Sequence, residues 1–217
     1  MKLSYAALLS GITALTATLF TILLMRSGLR VQAVLLPRQE WLLDNMGVWA
    51  IGWWLWLIVI FGWMVLLVTL MWSYTPAHRV STMLQSGLMI ISAVLLIIGV
   101  AVWMNLLPLA INDLNPESMT GLVDMLALSL VNSGLFMGGL VTAWITLDLA
   151  LLKKLPWLWL APGIAAGILA APSPFLVPQW PELLALSGVC WLVWCVLLIT
   201  RQEAPARYDE YDSSLFT

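Results

Sequence analysis

Six long apolar segments dominate this chain, and none of them contains a lysine, arginine, histidine or glutamate. The hydrocarbon core of a bilayer is about 30 Å thick, so a helix needs roughly 20 mostly apolar residues to cross it. Asp124 and Asp148 lie at the two ends of the fourth segment. The pattern predicts an all-α integral membrane protein, a bundle of about six transmembrane helices with no charge buried inside it. The predicted spans are 3–25, 47–72, 83–103, 121–147, 157–177 and 183–200.

The composition supports this class and excludes others. Apolar residues make up 62% of the chain and charged residues 9%, and the mean hydropathy is +0.99. Residues 1–200 are expected to form one transmembrane domain, and the acid-rich segment 201–217 a disordered cytoplasmic tail. The nine basic residues are dispersed, so we expect contact with the lipid bilayer and no nucleic-acid binding.

The distribution of basic residues predicts the orientation. Loops that remain in the cytoplasm carry more lysine and arginine than loops that are exported. With six spans, six basic residues fall on one side and three on the other, which predicts both termini in the cytoplasm of a bacterial inner membrane. The first set is Lys2, Arg79, Lys153, Lys154, Arg201 and Arg207, and the second is Arg26, Arg30 and Arg38.

Two segments leave their structure open. The fifth apolar block is short, because Pro172 begins a proline-rich stretch after Ala171. The helix either continues to Val177 with a kink, which we favour, or ends early as a short or re-entrant helix. The first loop, 26–46, contains several leucines and Trp41, so it could form a helix lying on the membrane surface.

The tryptophans give the densest pattern, with fourteen in the chain. Four of them fall within an arc of about 80° on the second span and form one aromatic stripe. The stripe either packs against neighbouring helices, which we favour, or lines a site for a flat hydrophobic molecule such as a quinone, carotenoid or sterol-like lipid. Together with Asn132, these are the candidate ligand-binding residues: Trp49, Trp53, Trp56 and Trp63.

Two GxxxG patterns predict a close helix contact. Gly134 and Gly138 lie on the fourth span, and Gly163 and Gly167 on the fifth. Glycines four residues apart allow helix backbones to approach each other closely. We therefore expect these four glycines to bring the fourth and fifth spans into contact.

Asn132 is the strongly polar side chain nearest the middle of a span. An unpaired amide in hydrocarbon costs several kcal/mol, so we expect it to make an interhelical hydrogen bond. The alternative is a substrate contact on a polar route beside Pro162, the arrangement that a small permease would need.

The sequence shows no motif that is typical of catalysis or metal binding. The chain has one histidine, His78, and no HExxH, GxSxG or phosphate-loop motif. We predict no enzymatic activity, no catalytic residue, no metal and no cofactor. The favoured function is a non-enzymatic membrane protein that binds or stabilises a hydrophobic small molecule or a membrane protein partner, as a scaffold or in assembly. A small permease with a polar site around Asn132 is the alternative.

Overall fold

The described part of the chain folds into an all-α bundle, and six of the helices in it are long and apolar enough to cross a membrane. The computed structural model describes residues 2–29, 35–75, 79–113, 115–153, 155–176 and 182–200. The helices are α1 (Leu3–Phe20, extended by a π-helical turn at Thr21–Met25), α2 (Leu35–Asp44), α3 (Met46–Tyr74), α4 (Val80–Ile111), α5 (Pro116–Leu151), α6 (Trp157–Ala170), α7 (Ser173–Leu176) and α8 (Glu182–Thr200).

The spanning helices form a closed, antiparallel ring. In order around the ring, α1 contacts α3, followed by α4, α5, α6 and α8, and α8 returns to α1. The most extensive contact is between α4 and α5. All six therefore have two neighbours in the ring, and consecutive helices run in opposite directions.

The ring is filled by side chains. Leu66, Leu67, Val141 and Ile145 are fully buried where α3 and α5 face each other. The outer surface is apolar as well, with large side chains such as Leu23 exposed on it. A bundle that is apolar outside as well as inside is suited to lipid, which confirms the predicted integral membrane class.

The ends of α5 define the two ends of the molecule. Asp124 and Asp148 are 24 positions apart on this helix, about 36 Å at 1.5 Å per residue. This is slightly more than the hydrocarbon thickness of a bilayer, so each carboxylate lies near one membrane boundary. We call these the Asp124 end and the Asp148 end. The short helix α2 lies at the Asp124 end, where it contacts α3 and α4.

The structure shows how the fifth apolar block and the first loop fold, which the sequence left undecided. In the fifth block, α6 ends at Ala170, and a turn at Ala171 and Pro172 separates it from α7. The two helices together form one candidate membrane span, Trp157–Phe175, and the interruption at Ala171 and Pro172 is the kink that the proline imposes. Val177, the predicted end of the span, lies outside the described residues. The first loop contains the helix α2. The predicted tail 201–217 and His78 lie outside the described residues.

Candidate functional site

A buried ion pair fixes α2 to the bundle at the Asp124 end. The Arg38 guanidinium donates from its two terminal nitrogens to the two carboxylate oxygens of Asp124, at 2.5 and 2.8 Å. Its Nε donates to the carbonyl oxygen of Gly28 at 2.7 Å. Both charged side chains are almost fully buried, at 4% and 6% exposure. Bidentate pairing of this kind restricts both position and orientation, so α2 is held in one geometry.

Two tryptophans continue this network into the bundle. Trp103 donates from Nε1 to Asp124 Oδ1 at 2.9 Å, and Trp49 donates to the carbonyl oxygen of Trp103 at 3.1 Å. Trp53 stacks on Trp103 with ring centroids 5.1 Å apart. The network joins the end of α1 to α2, α3, α4 and α5. We call it the Arg38 clasp: Gly28, Arg38, Trp49, Trp103 and Asp124.

A second, looser polar group lies at the Asp148 end. One terminal nitrogen of Arg79 is 3.3 Å from both Asp148 oxygens, and the Arg79 side chain is 37% exposed. Ser81 donates to Asp148 Oδ2 at 2.9 Å, and Gln85 Nε2 lies 3.4 Å from the same oxygen. We call these four residues the Asp148 cluster.

The prediction that no charge is buried is therefore wrong. As whole residues, backbone included, Arg38, Asp124 and Asp148 are 4%, 5% and 8% exposed. The apolar spans contain almost no ionisable group, but helix ends and the loop helix α2 bring charges together from distant parts of the chain. Burial is tolerated because each carboxylate has a cationic partner and further hydrogen-bond donors.

The sequence contains information that could have predicted both ion pairs, Arg38 with Asp124 and Arg79 with Asp148. Antiparallel spans place the first loop, with Arg38, on the same side as Asp124, and they place Arg79 on the side of Asp148. Each acid near a membrane boundary thus had an arginine-bearing loop available to it.

The aromatic stripe of α3 faces its neighbouring helices. Trp49 and Trp53 are buried, and Trp56 and Trp63 are partly buried. Trp56 donates to Thr21 Oγ1 at 2.9 Å and Trp63 donates to Thr142 Oγ1 at 3.1 Å. Three of the four indoles thus donate to three different elements of the bundle. Ligand binding by the stripe remains a prediction, and the contacts are those of helix packing.

Asn132 has neither of its predicted surroundings. Its side chain is partly buried and makes no hydrogen bond to any residue that the structure describes, so the expected interhelical bond is absent there. It is also far from Pro162: Gly163, the next residue, lies against Thr146. Thr146 is 14 positions beyond Asn132 on α5, about 21 Å along the axis. Among the described residues, Asn132 and Pro162 are therefore not neighbours, and the predicted polar route between them is not formed.

The four predicted glycines do not all lie at one interface. A Cβ at Gly167 would collide with the backbone of Ala143 on α5. One at Gly163 would lie 2.6 Å from the Trp194 ring on α8 and 2.8 Å from the Thr146 side chain on α5. Gly134 and Gly138 instead face α4, against Leu96 and Ser92. Their assignment to the α5–α6 contact is wrong.

Gly139, and not Gly138, is the glycine of α5 that contacts α6. A Cβ there would lie 2.8 Å from the carbonyl oxygen of Gly167. One residue corresponds to a 100° rotation about the helix, so the neighbouring glycine faces a different partner. Gly138 is nevertheless buried, because Ser92 of α4 packs over it.

Comparisons of the chain with protein-family models, with curated proteins and with solved structures found no match.

Proposed function

We propose that this protein is a non-enzymatic membrane scaffold that binds another membrane protein through its Asp124 end. The observation that carries the proposal is the Arg38 clasp. Removing two charges from water is costly, and a buried pair adds little net stability, so its main effect is to fix one arrangement. Here the arrangement that it fixes is the position of α2 on the bundle.

The exposed face of α2 is suited to contact with a partner. Leu36 and Leu43 are 66% and 45% exposed, and Glu40 and Asp44 lie on the same exposed face. A rigid helix with apolar and acidic side chains on one face complements a partner surface that combines apolar and basic groups.

The surface beside the clasp extends this face towards the membrane. The lining of an open depression of about 490 Å³ includes the polar residues Glu117 and Thr120 and the apolar residues Met125 and Leu128. An edge of this kind suits a protein that enters the bilayer, since polar groups would meet near the boundary and apolar groups below it.

The cell location and orientation belong to the same proposal. A bacterial inner membrane with both termini in the cytoplasm would place the Asp124 end and α2 on the outer face. The support is the count of six basic residues against three in the segments outside the spans. Alkaline phosphatase fused after Thr217 should be inactive, and a fluorescent protein fused there should be bright. Phosphatase activity at that position would reverse the orientation.

Site-specific photocrosslinking in native membranes tests the scaffold function. A photoreactive phenylalanine analogue at Leu43 should give one discrete protein adduct, whereas the same probe at Ile12, an exposed position on α1, should react with lipid. Replacing Glu40 and Asp44 by lysine should remove the Leu43 adduct if the partner surface is basic. Lipid adducts alone at Leu43, or an adduct unaffected by the charge reversal, would contradict the proposal.

The permease alternative predicts a different result. Proteoliposomes containing the purified chain would take up a polar solute, and Asn132→Leu would abolish the uptake. The scaffold proposal predicts no such flux from native or variant protein.

A further inference from the structure

One buried oxygen atom at the Asp148 end has no partner among the residues that the structure describes. Gln85 is 0% exposed, and its Nε2 is 3.4 Å from Asp148 Oδ2. Its Oε1 accepts no hydrogen bond from the residues that the structure describes. A buried acceptor without a donor is unfavourable, so an electropositive group is expected beside it.

The atoms around this oxygen are also suited to a positive ligand. Oε1 and Nε2 are bonded to the same carbon atom, so the unpaired oxygen belongs to the same buried amide group as the nitrogen that faces Asp148. Ser81 Oγ is 2.9 Å from Asp148 Oδ2 and has lone pairs of its own. A carboxylate, an amide carbonyl and a hydroxyl are the oxygen ligands that hard cations take from proteins.

Arg79 supplies the positive charge beside Asp148, and its geometry allows its side chain to move away from the carboxylate. A single terminal nitrogen is 3.3 Å from each carboxylate oxygen, and the side chain is 37% exposed. Arg79 also precedes α4 directly, so its side chain can turn towards water without moving a spanning helix.

We propose that the Asp148 cluster is a binding site for a monovalent alkali cation, of the sodium type, which competes with Arg79 for Asp148. The ion is held by the Asp148 carboxylate, Gln85 Oε1 and Ser81 Oγ, and water completes its coordination. One carboxylate balances one positive charge, which favours a monovalent over a divalent ion. When the cation enters, Arg79 turns outward, and the buried Gln85 oxygen gains its missing partner.

The test is ion-dependent stability of the purified full-length protein in detergent or nanodiscs. Melting temperature is compared in sodium, potassium and choline chloride at equal ionic strength. At sodium about 100-fold above the dissociation constant, the melting temperature should exceed that in choline by about 5 °C or more. Arg79→Gln removes the competitor and should lower the half-saturating sodium concentration by on the order of fivefold or more.

Matched variants separate this site from general salt effects. Asp148→Asn should abolish the difference between sodium and choline, and Glu117→Gln, an exposed acid at the other end, should leave it unchanged. If Asp148→Asn fails to fold, equilibrium binding of radioactive sodium to native and Arg79→Gln protein replaces this comparison as the test of the site. Equal stability in all three salts for both native and Arg79→Gln protein would overturn the proposal. So would melting that depends on pH and not on sodium, because a proton on Asp148 would then neutralise the cluster.

Discussion

The two ends of α5 each pair a carboxylate with an arginine, but the two ion pairs differ in geometry and burial. At each end a carboxylate lies near a membrane boundary and is paired with an arginine from another segment. At the Asp124 end the pair is bidentate, at 2.5 and 2.8 Å, and both side chains are buried. At the Asp148 end a single nitrogen lies 3.3 Å from both oxygens, and the arginine is partly exposed.

The difference follows from where each arginine begins. Arg38 belongs to α2, which packs over the bundle and brings the guanidinium inward, where Gly28 and Trp103 complete the network. Arg79 lies at the edge of α4 and reaches Asp148 from the side of the loop. A closed pair fixes a surface, whereas an open pair leaves an acid that can exchange its partner. This contrast supports a docking face at one end and an ion site at the other.

The largest expected effect is that of breaking the closed pair. Asp124→Leu leaves the Arg38 guanidinium buried without its partner, which should lower the free energy of unfolding by about 3 to 5 kcal/mol. Chemical or thermal unfolding in detergent measures this. The double variant Arg38→Met and Asp124→Leu replaces both charges by apolar groups and should recover most of the loss. A double variant as unstable as the single one would show that the lost Trp103 and Gly28 hydrogen bonds dominate.

A packing change in the last turn of α6 gives a second effect with which the ion-pair result can be compared. Gly167→Leu would place a side chain against the backbone of Ala143, so the two helices must separate. The expected cost is about 1 to 3 kcal/mol, typical of overpacking. Gly188→Leu is the matched control, because a Cβ there meets nothing within 4 Å. Equal melting temperatures for the two variants would contradict the α5–α6 contact.

Replacing either of two tryptophans of the α3 stripe by phenylalanine should change the free energy of unfolding by a smaller amount, and the two changes should differ. Trp63→Phe removes a hydrogen bond to Thr142 and should cost about 1 kcal/mol more than the loss of ring area alone. Trp53 Nε1 is buried and has no acceptor among the described residues, so Trp53→Phe removes an unsatisfied donor. Trp53→Phe should therefore be the better tolerated change. The opposite order in unfolding measurements would indicate that Trp53 donates to a group outside the described residues.

The smallest effect is expected at the open pair. Arg79→Ala, measured in choline chloride, should lower the free energy of unfolding by less than about 1 kcal/mol, because a partly exposed and poorly aligned pair contributes little. Ser81 and Gln85 still donate to the Asp148 carboxylate in this variant. A loss as large as that of Asp124→Leu would remove the contrast between the two ends.

Parts of this structure were available from the sequence. Lengths of apolar runs predict the number and class of the spanning helices, because the bilayer imposes a minimum length and helical hydrogen bonding. The arc of tryptophans on α3 and a close α5–α6 contact could likewise be anticipated from helical periodicity and small residues.

The partners of individual side chains could not be predicted in the same way. Gly138 and Gly139 are adjacent in sequence but face α4 and α6, so a one-residue rotation of α5 changes the interface. Asn132 was expected to find a hydrogen bond because of its chemistry, but the rotation of α5 leaves its amide unpaired among the described residues. Arg38 and Asp124 are 86 positions apart, and only the order of helices around the ring brings them together.

Hydrogen exchange of the α2 amides tests the central claim most directly, that the Arg38 clasp holds this helix on the bundle. We predict slow exchange across residues 35–44 in the native protein and clearly faster exchange in Asp124→Leu. Exchange in the double variant Arg38→Met and Asp124→Leu should return towards the native rate, and Asp148→Asn should leave α2 unchanged. If α2 exchanges at the same rate in native and Asp124→Leu protein, the clasp does not hold this helix and the proposed docking face loses its support.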